Sequence, residues 1–328
     1  MMYYFRRRLL ARRVSKKMQF ALANGTNHFV VVYDNLVSPP TIGDFIWVVM
    51  LARFIAKKRF RVDFHLINGE YRQDWSDLSR EDVSRYLAMQ ISLIEQFTLN
   101  LNVKIKVMGW REHVAIVQAS KVYETDFFWN DRVSRRLPIY NHSFNVLNYL
   151  LSTESKKFLD EFLLNTKDFE NTKPKEIPSY DYVAWHARYN VKWDQERNSN
   201  DRDFLNYYYR IKQQNGYKKV ILISDLSGCE YYAKLAVKYS LDLEYSKSFG
   251  ESFFNDCFLV LNSDFYYQFK GGGIGVVPIL SDQSYEIVGR FYNEIHWKYP
   301  QITSYSTPAQ RYHFDILEIN RNFYFGPS

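Results

Sequence analysis

Two apolar runs in the second half of the sequence lead to side chains that bind anions or accept hydrogen bonds. The first run, Tyr182–Trp185, is followed by His186 and then, two positions further on, by Arg188. Aromatic and β-branched residues entered through a turn predict a buried strand, and a guanidinium binds a phosphate through two parallel hydrogen bonds. The second run, Lys219–Ile223, leads to Asp225 in the same way. Ligands of open α/β sheets bind beyond the carboxyl ends of the strands, so we expect these groups at one edge.

A third apolar run, Cys257–Leu261, is predicted as another strand, ending just before Ser263 and Asp264. A glycine cluster follows it. The bare backbone N–H groups of such a cluster can approach a phosphate that side chains would hold away. The candidate phosphate-binding glycines are Gly271, Gly272 and Gly273.

This set of groups suits a nucleoside diphosphate. Arg188 and the glycines would hold the phosphates, while Asp225 and Asp264 would accept hydrogen bonds from sugar hydroxyls or a base edge. A diphosphate gains negative charge as its bond to a sugar breaks, and donors already in place for that charge lower the barrier. The alternative is structural: Arg188 and Asp225 form a buried ion pair between adjacent strands, and His186 is a satisfied core residue.

The first half of the sequence begins with a similar alternation. Phe29–Tyr33 predicts a buried strand, Phe45–Lys58 an apolar helix and Arg61–Ile67 a second strand. Gly43 and Asp44 come directly before that helix. Gly43 would let the backbone approach a ligand, and Asp44 would lie at the amino terminus of the helix. An ordinary helix N-cap accounts for Asp44 equally well, so both interpretations stay open.

The remaining patterns continue the alternation of strands and helices. The polar, proline-containing stretch Asn165–Pro178 predicts a linker, and an aromatic-rich helix is predicted from Tyr285 to Tyr299. Two α/β halves joined by one linker predict two sheets that face a cleft, a common place for a ligand. Further predicted elements are a helix within 77–100, a strand at 103–108, helices at 142–151, 154–164, 201–214 and 228–239, a strand at 242–245 and a helix near 252–256.

Composition and charge limit the classes of function. The chain has 328 residues, 46% of them hydrophobic and 24% charged, which is globular material for about two domains. Cys229 and Cys257 are too few for a disulfide framework or a four-cysteine zinc site. The net charge of +7 comes from seven basic residues in the first 17 positions, and the rest of the chain is formally neutral. The tail could bind anionic lipid or nucleic acid, but the neutral body argues against nucleic acid as the main partner.

The longest apolar run, residues 45–56, is too short to cross a bilayer. We therefore expect a cytoplasmic protein that could touch a membrane surface through its basic tail. The glycine cluster lacks the third glycine of a dinucleotide fingerprint, and the sequence has neither a Gly-Lys-Ser/Thr phosphate loop nor a Gly-x-Ser-x-Gly elbow. Asp201 and Asp203 form an Asp-x-Asp pattern that is better explained by capping of the following helix. Neither a metal site nor a cofactor is predicted.

The strand that ends in His186-Ala187-Arg188 resembles the His-x-Arg motif of the fucosyltransferase superfamily of GT-B glycosyltransferases. Ile223-Ser224-Asp225 and the segment from Asp256 to Asp264 are similar to the nucleotide-side segments of that superfamily. Gly43-Asp44 looks like the first turn of GT-B enzymes, heptosyltransferases included. The resemblance implies two Rossmann-like domains that face each other across a cleft. It also implies a nucleotide-sugar donor held by the second domain and transfer without a metal ion.

The resemblance also implies roles for individual residues. Arg188 would bind the donor diphosphate, with His186 beside it. Asp225 and Ser263 would approach the nucleoside, and Asp44 would be a candidate base for the acceptor hydroxyl. The nucleotide sugar would be a co-substrate, and no other cofactor is implied.

The leading hypothesis is an inverting glycosyltransferase that moves a sugar from a nucleotide-diphosphate donor, with GDP-fucose among the candidates, to a glycan or lipid-linked acceptor. In one displacement Asp44 would take the acceptor proton while Arg188 and the glycine backbone hold the departing diphosphate. A non-catalytic nucleotide- or glycan-binding protein on the same scaffold is the alternative, and nucleic-acid binding through the tail is a third possibility. The expected domains are a basic tail (1–24), an acceptor-side α/β domain (25–170), a nucleotide-sugar-binding α/β domain (171–284) and a helix and tail that pack back across the domains (285–328).

Overall fold

In the computed structural model the chain divides into two compact units, Met1–Phe162 and Leu163–Ser328, which are described separately. The sequence predicted the division after residue 170. The predicted basic tail and the predicted helix at 142–151 lie largely outside the described residues. Among the helices that the structure describes, none is long and apolar enough to cross a bilayer. The described residues are 28–35, 42–68, 80–119, 123–124, 154–189, 198–269, 272–289 and 301–305, with single positions 16, 20, 23, 24, 147, 150 and 151.

The first unit is mixed α/β, built on a four-stranded parallel sheet with strand order β3-β2-β1-β4. The strands predicted at 29–33, 61–67 and 103–108 and the helix predicted at 45–58 are confirmed. Its elements are β1 (His28–Asp34), α1 (Ile42–Lys57), β2 (Arg61–Ile67), α2 (Arg80–Phe97), β3 (Val103–Met108), α3 (Trp110–Ala119), β4 (Tyr123–Glu124) and α4 (Lys156–Phe162).

Helix α1 packs its apolar side chains against one face of this sheet. The Phe45 ring lies edge-on to Tyr33 at 4.8 Å and to Phe64 at 6.0 Å between ring centroids. Because side chains alternate along a strand, Val62 and Leu66 lie on the same face of β2 as Phe64, and all three are buried. Burial of this apolar surface, at about 25 cal/mol per Å², is the main term that stabilises the unit.

One cation is buried within the otherwise apolar helix α1. The Arg53 side chain donates from Nε to the Phe162 carbonyl oxygen at 3.1 Å and from Nη1 to the Phe97 carbonyl oxygen at 2.9 Å. Phe97 and Phe162 are the last residues of α2 and α4. Carbonyl groups at a helix carboxyl end lack intrahelical partners and carry partial negative charge. Arg53 therefore joins the ends of two helices to the middle of a third.

The opposite face of β2 carries buried polar groups. Asp63 forms an ion pair with Lys106 at 2.6 Å, and its carboxylate lies 3.3 Å from His28 Nε2. Nearer the carboxyl end of the strand, the Nδ1 atoms of His65 and of His113 in α3 lie 2.9 Å apart, so one ring donates and the other accepts. Burial, reinforced by repulsion from His113 and Lys106, lowers the pKa of His65 to about 4. Burial likewise lowers the pKa of His113.

We expect the first unit to lose stability on mild acidification. His65 titrates near pH 6.5 when unfolded but only near pH 4 in the fold. The unfolded state therefore binds more protons between these values, and stability falls as the pH drops through this window. Lowering the pH from 7 to 5 should cost about 2 kcal/mol from this residue alone. Urea unfolding at the two pH values measures the loss.

The variant His65→Asn is the control for this prediction because it keeps a polar side chain that does not titrate. Its unfolding free energy should depend less steeply on pH than that of the wild type. An identical pH dependence in the two proteins would contradict the assignment of the acid sensitivity to His65.

The second unit is also mixed α/β. Its six-stranded sheet has the order β10-β9-β8-β5-β6-β7, parallel throughout except for the antiparallel pair of β9 and β10. The described part of this unit has short 3-10 helices at 166–172, 246–248 and 273–275. The other elements are β5 (Tyr182–Ala187), α5 (Asp201–Asn215), β6 (Lys219–Ile223), α6 (Leu226–Tyr239), β7 (Glu244–Tyr245), α7 (Phe253–Asn262), β8 (Phe265–Phe269), α8 (Val276–Ile279), β9 (Tyr285–Gly289) and β10 (Gln301–Tyr305).

Alternation along β5 assigns the helices of this unit to the two faces of the sheet. The Trp185 ring lies 4.5 Å from Phe204 in α5, and Phe204 stacks on Tyr232 in α6 at 4.2 Å. Helices α5 and α6 therefore cover one face. Tyr182, which points the other way, donates from its hydroxyl to the Leu259 carbonyl oxygen in α7 at 2.8 Å. Helix α7 therefore covers the opposite face.

The prediction of a strand at Cys257–Leu261 is wrong, because these residues lie inside helix α7. The helix starts with a capping box in which the side chains of Ser252 and Asn255 each accept a hydrogen bond from the other residue's backbone N–H. A short apolar run fits a buried helix as well as a buried strand, and here the cap decides between them. Because Cys257–Leu261 is helical, the next strand of the sheet is Phe265–Phe269.

Two further predictions in the second unit are also wrong. The expected helix at 285–299 begins instead as strand β9, which lies between β8 and β10, so its apolar residues fill a central strand. The expected linker at 165–178 contains a capped 3-10 helix, Thr166–Thr172. Its Phe169 is fully buried and lies against Phe254 of α7. Spacing alone did not show that one aromatic side chain holds this polar stretch in place.

Candidate functional site

The order of the strands in the second unit creates one crevice at the carboxyl edge of its sheet. Strands β6 and β7 lie on one side of β5, whereas β8 and β9 lie on the other. The connections that leave β5 and β8 therefore run in opposite directions. Ligands of open α/β sheets bind at such a reversal point. His186 and Arg188 lie at the end of β5, and Gly272 follows β8.

His186 is fixed at this crevice by a hydrogen bond on one side of its ring and a close contact on the other. Its Nδ1 atom lies 2.8 Å from the Ile223 carbonyl oxygen at the end of β6. A carbonyl can only accept, so Nδ1 carries the hydrogen. The Nε2 atom faces the backbone of Gly272, where an added methyl group would lie only 2.1 Å away. His186 thus connects the ends of β5 and β6 with the glycine bend after β8.

A side chain at position 272 would collide with the His186 ring, and the backbone conformation at this position also requires glycine. Its φ angle is +152°, a region that residues with a side chain rarely adopt. Gly273 begins the 3-10 helix Gly273–Gly275 directly afterwards. Gly271 lies outside the described residues. The structure therefore brings the middle glycine of the predicted cluster to the end of the strand that carries His186.

Substitution of Gly272 by alanine tests this contact directly. We expect Gly272→Ala to destabilise the second unit by about 1–3 kcal/mol through strain and overpacking. In a His186→Ala background the same change should cost less, because the ring that collides has been removed. A double-mutant cycle based on urea unfolding gives the difference.

Gly109→Ala is the matched control, since an added methyl group there meets no atom within 4 Å. Its effect on stability should be small and independent of residue 186. A cost of Gly272→Ala that is equal in both backgrounds would contradict the contact.

Arg188 is the first residue after β5, and it is partly exposed rather than packed in the interior. Its backbone oxygen accepts hydrogen bonds from the Ser199 N–H at 3.2 Å and from the Tyr232 hydroxyl at 2.9 Å. Its Nη1 atom donates to Asn198 Oδ1 at 3.4 Å. The strand end is therefore held by its backbone, and the guanidinium, which contacts Asn198, lies beyond the carboxyl end of β5.

Asp225 follows β6 and caps helix α6. Its Oδ1 atom accepts from the Gly228 N–H at 2.7 Å and from the Ser227 hydroxyl at 2.9 Å. The residue is exposed, so the alternative of a buried ion pair with Arg188 does not describe it. Both bonds use Oδ1, which leaves Oδ2 at the carboxyl edge of the sheet.

Ser263 and Asp264 are not brought to this edge. They precede β8 and lie at its amino end, where the Asp264 N–H donates to the Tyr182 carbonyl oxygen at the start of β5. Ser263 is buried and accepts from Gln283 Nε2 at 3.1 Å, and Asp264 pairs with Lys218 at 2.6 Å. The expectation that they converge with Arg188 is wrong because the run before them is a helix. This helix leads the chain from the carboxyl edge of the sheet back to the amino edge, where β8 begins.

In the first unit, Gly43 and Asp44 belong to the first turn of α1, which begins at Ile42. The side chain of Asp44 lies outside the described residues. The carboxyl end of β1 carries a group that sequence reasoning missed. Asn35 and Gln90 are both buried and exchange two amide hydrogen bonds of 2.9 and 3.0 Å. The partners are 55 residues apart, so no local pattern could reveal them.

A second missed group lies at the carboxyl edge of the second unit. Lys247, in the 3-10 helix after β7, forms an ion pair of 2.6 Å with Asp256 in the first turn of α7. In the sequence, the only indication of this ion pair is the Asp256 carboxylate inside an apolar run. No group of three or more His, Cys, Asp or Glu side chains is placed to hold a metal ion within the part of the chain that the structure describes.

Comparisons with known proteins give distant similarities only. No protein-family model and no curated protein matches the sequence. The chain is similar to three solved glycosyltransferase structures, whose TM-scores of 0.25 to 0.40 are too low to assign a family. Escherichia coli ADP-heptose LPS heptosyltransferase II is 9% identical, with 81% of this chain and 86% of that one covered and a TM-score of 0.40. The Bradyrhizobium fucosyltransferase NodZ is 10% identical, with 85% of this chain and 98% of that one covered and a TM-score of 0.30. A Rickettsia africae glycosyltransferase is 11% identical, with 74% of this chain and 73% of that one covered and a TM-score of 0.25.

Proposed function

We propose that the second unit binds the diphosphate of a nucleotide sugar at the crevice between β5 and β8. The chain would then be a glycosyltransferase that moves the sugar to a glycan or lipid-linked acceptor. One observation carries the proposal. At the reversal point of the sheet, the glycine bend after β8 lies against His186, and Arg188 stands at the end of the same strand.

The chemistry of these groups supports a dianionic ligand. A guanidinium binds two phosphate oxygens at once, and its charge does not depend on pH in the physiological range. The His186 ring fills the space that a side chain at position 272 would need, so the glycine bend would contribute only backbone N–H groups to a phosphate. Donors fixed before the reaction stabilise the charge that develops on the departing diphosphate, which is the largest single contribution in many transfer reactions.

The nucleoside would extend from the phosphates toward β6 and β7. On that side of β5 the described strand ends carry polar residues, of which Asp225 is exposed and Ser224 and Ser246 are buried. On the β8 side the residues after the bend are apolar, with Ile274, Val276 and Val277 buried. The Oδ2 atom of Asp225 would accept a hydrogen bond from a ribose hydroxyl or a base edge. GDP-fucose is one candidate donor, because of the resemblance of the His186-Ala187-Arg188 segment.

Removal of the guanidinium should weaken nucleotide binding without unfolding the chain. We expect Arg188→Ala to raise the Kd for nucleoside diphosphates about 10- to 100-fold, since it removes charge-assisted hydrogen bonds. Arg188→Lys should restore little, because an ammonium cannot bind two oxygens in parallel. Calorimetric titration with GDP, UDP and ADP gives the affinities, and thermal unfolding shows that the fold is retained.

Arg202→Ala is the control for charge, since Arg202 is an exposed arginine in α5. It should leave both affinity and stability close to the wild-type values. Wild-type affinity in the Arg188→Ala variant would refute the placement of the diphosphate at this crevice.

The assignment of Asp44 as the base that activates the acceptor hydroxyl rests on the sequence pattern. If it is the base, Asp44→Asn should lower the rate of sugar transfer on the order of 100-fold or more and leave nucleotide affinity unchanged. The assay follows release of the nucleoside diphosphate from a panel of nucleotide sugars, GDP-fucose included, in the presence of glycan and lipid-linked acceptors. Wild-type protein that binds the nucleotides but consumes no donor would favour the alternative of a non-catalytic binding protein.

A further inference from the structure

A buried ion pair lies at the carboxyl edge of the second unit, apart from the groups assigned to the diphosphate. The Lys247 ammonium and the Asp256 carboxylate are 2.6 Å apart, and their side chains are only 11% and 8% exposed. Lys247 belongs to the 3-10 helix directly after β7, and Asp256 to the first turn of α7. The pair therefore ties together two segments that both border the edge of the sheet.

The pair is connected to the turn that carries Asp225. The Cys229 thiol in α6 lies 3.7 Å from the Ser224 carbonyl oxygen at the start of that turn. The same sulfur lies against the backbone of Lys247. One side chain therefore contacts both the end of β6 and the residue that holds Asp256.

Stability alone does not explain why these two charges are buried. Transfer of two charged groups out of water costs more than their attraction commonly returns, so apolar residues of the same size would hold the segments as well. A buried ion pair is instead sensitive to the protonation of its acid. Among the described residues, the charged and polar groups that face Asp256 are Lys247 and Ser246 from the 3-10 helix, Asp225 from the turn before α6, Cys229 from α6, Cys257 from its own helix and Tyr266 from β8.

We propose that Lys247 and Asp256 are positioning residues for the nucleotide, and that acid weakens nucleotide binding by uncoupling them. The inference rests on the proposed function of the same edge. With the pair intact, the turn after β7 and the Ser224–Asp225 turn stand in the geometry that receives the nucleoside. When Asp256 is protonated, the ammonium loses its counter-charge inside the protein and moves toward water, and the two turns lose their common support.

The sign of the pH dependence distinguishes positioning from a structural role. Burial raises the pKa of Asp256 to about 6, against the opposing effects of Lys247 and Ser246. Since the folded state holds this proton more tightly than the unfolded chain, acidification favours folding at this residue, and that stability is lost as the pH rises through 6. Nucleotide affinity should change in the opposite direction and fall as the pH drops through 6. A residue that acted through stability alone would move both quantities together.

Calorimetric titration of the full chain with GDP, UDP and ADP from pH 7.5 to 5 tests the proposal. The loss of affinity should be about tenfold larger in the wild type than in Asp256→Asn, because about nine-tenths of Asp256 is protonated at pH 5. Asp256→Asn should bind weakly at every pH, since it imitates the protonated acid. Ionisation of the nucleotide itself affects both proteins equally and cancels in the comparison.

Two further variants complete the experiment. Lys219→Met/Asp242→Leu removes an exposed ion pair of 2.8 Å between the same residue types elsewhere in the unit, and it should keep the wild-type pH profile. Lys247→Met/Asp256→Leu replaces the buried pair by apolar groups that pack. It should bind nucleotide with no excess loss of affinity in acid, and it keeps the test available if Asp256→Asn does not fold.

An acid-dependent loss of affinity in Asp256→Asn or in the apolar double variant equal to that of the wild type would overturn the inference and leave the proposed function standing. Wild-type affinity in Asp256→Asn at pH 7.5 would overturn it as well. Failure of the folded wild-type protein to bind GDP, UDP or ADP at any pH would overturn the proposed function, and the inference with it.

Discussion

The close approach of the Gly272 backbone to the His186 ring is the constraint on which the edge of the second sheet depends. The His186 ring and the Gly272 backbone are so close that an added methyl group at residue 272 would lie 2.1 Å from Nε2. This contact fixes the distance between the end of β5 and the glycine bend after β8. The hydrogen bond from His186 to the Ile223 carbonyl oxygen in turn fixes the ring. Three strand ends that are far apart in sequence are therefore held by one imidazole, and Arg188 extends from the strand that carries it.

The two edges of this sheet use their polar groups differently. At the amino edge the polar groups satisfy one another. Ser263 donates to the Val260 carbonyl oxygen and accepts from Gln283, and Asp264 pairs with Lys218. At the carboxyl edge Arg188 is partly exposed and Asp225 is exposed. The polar groups of the amino edge therefore join β8 to neighbouring segments, whereas Asp225 at the carboxyl edge caps a helix and stays exposed.

The sequence was sufficient to predict the strands that begin at Tyr182 and Lys219, because a run of buried residues between turn signals is a local pattern. It also placed a glycine bend after a strand, but it put that strand at Cys257–Leu261 instead of Phe265–Phe269. The error over Ser263 and Asp264 had one origin, since a buried helix was interpreted as a strand and this exchanged the two edges of the sheet. Lys247–Asp256 and Asn35–Gln90 were missed because each pair depends on tertiary contacts, and the carboxylate inside an apolar run does not indicate its partner.

Both units repeat one winding, in which the first strand lies between the second and the fourth. Each sheet consequently has its own point of reversal, determined by its own strand order and independent of the other sheet. Substitutions at the strand ends of one sheet therefore leave the other point of reversal in place, since each strand order is set by the connections within its own unit.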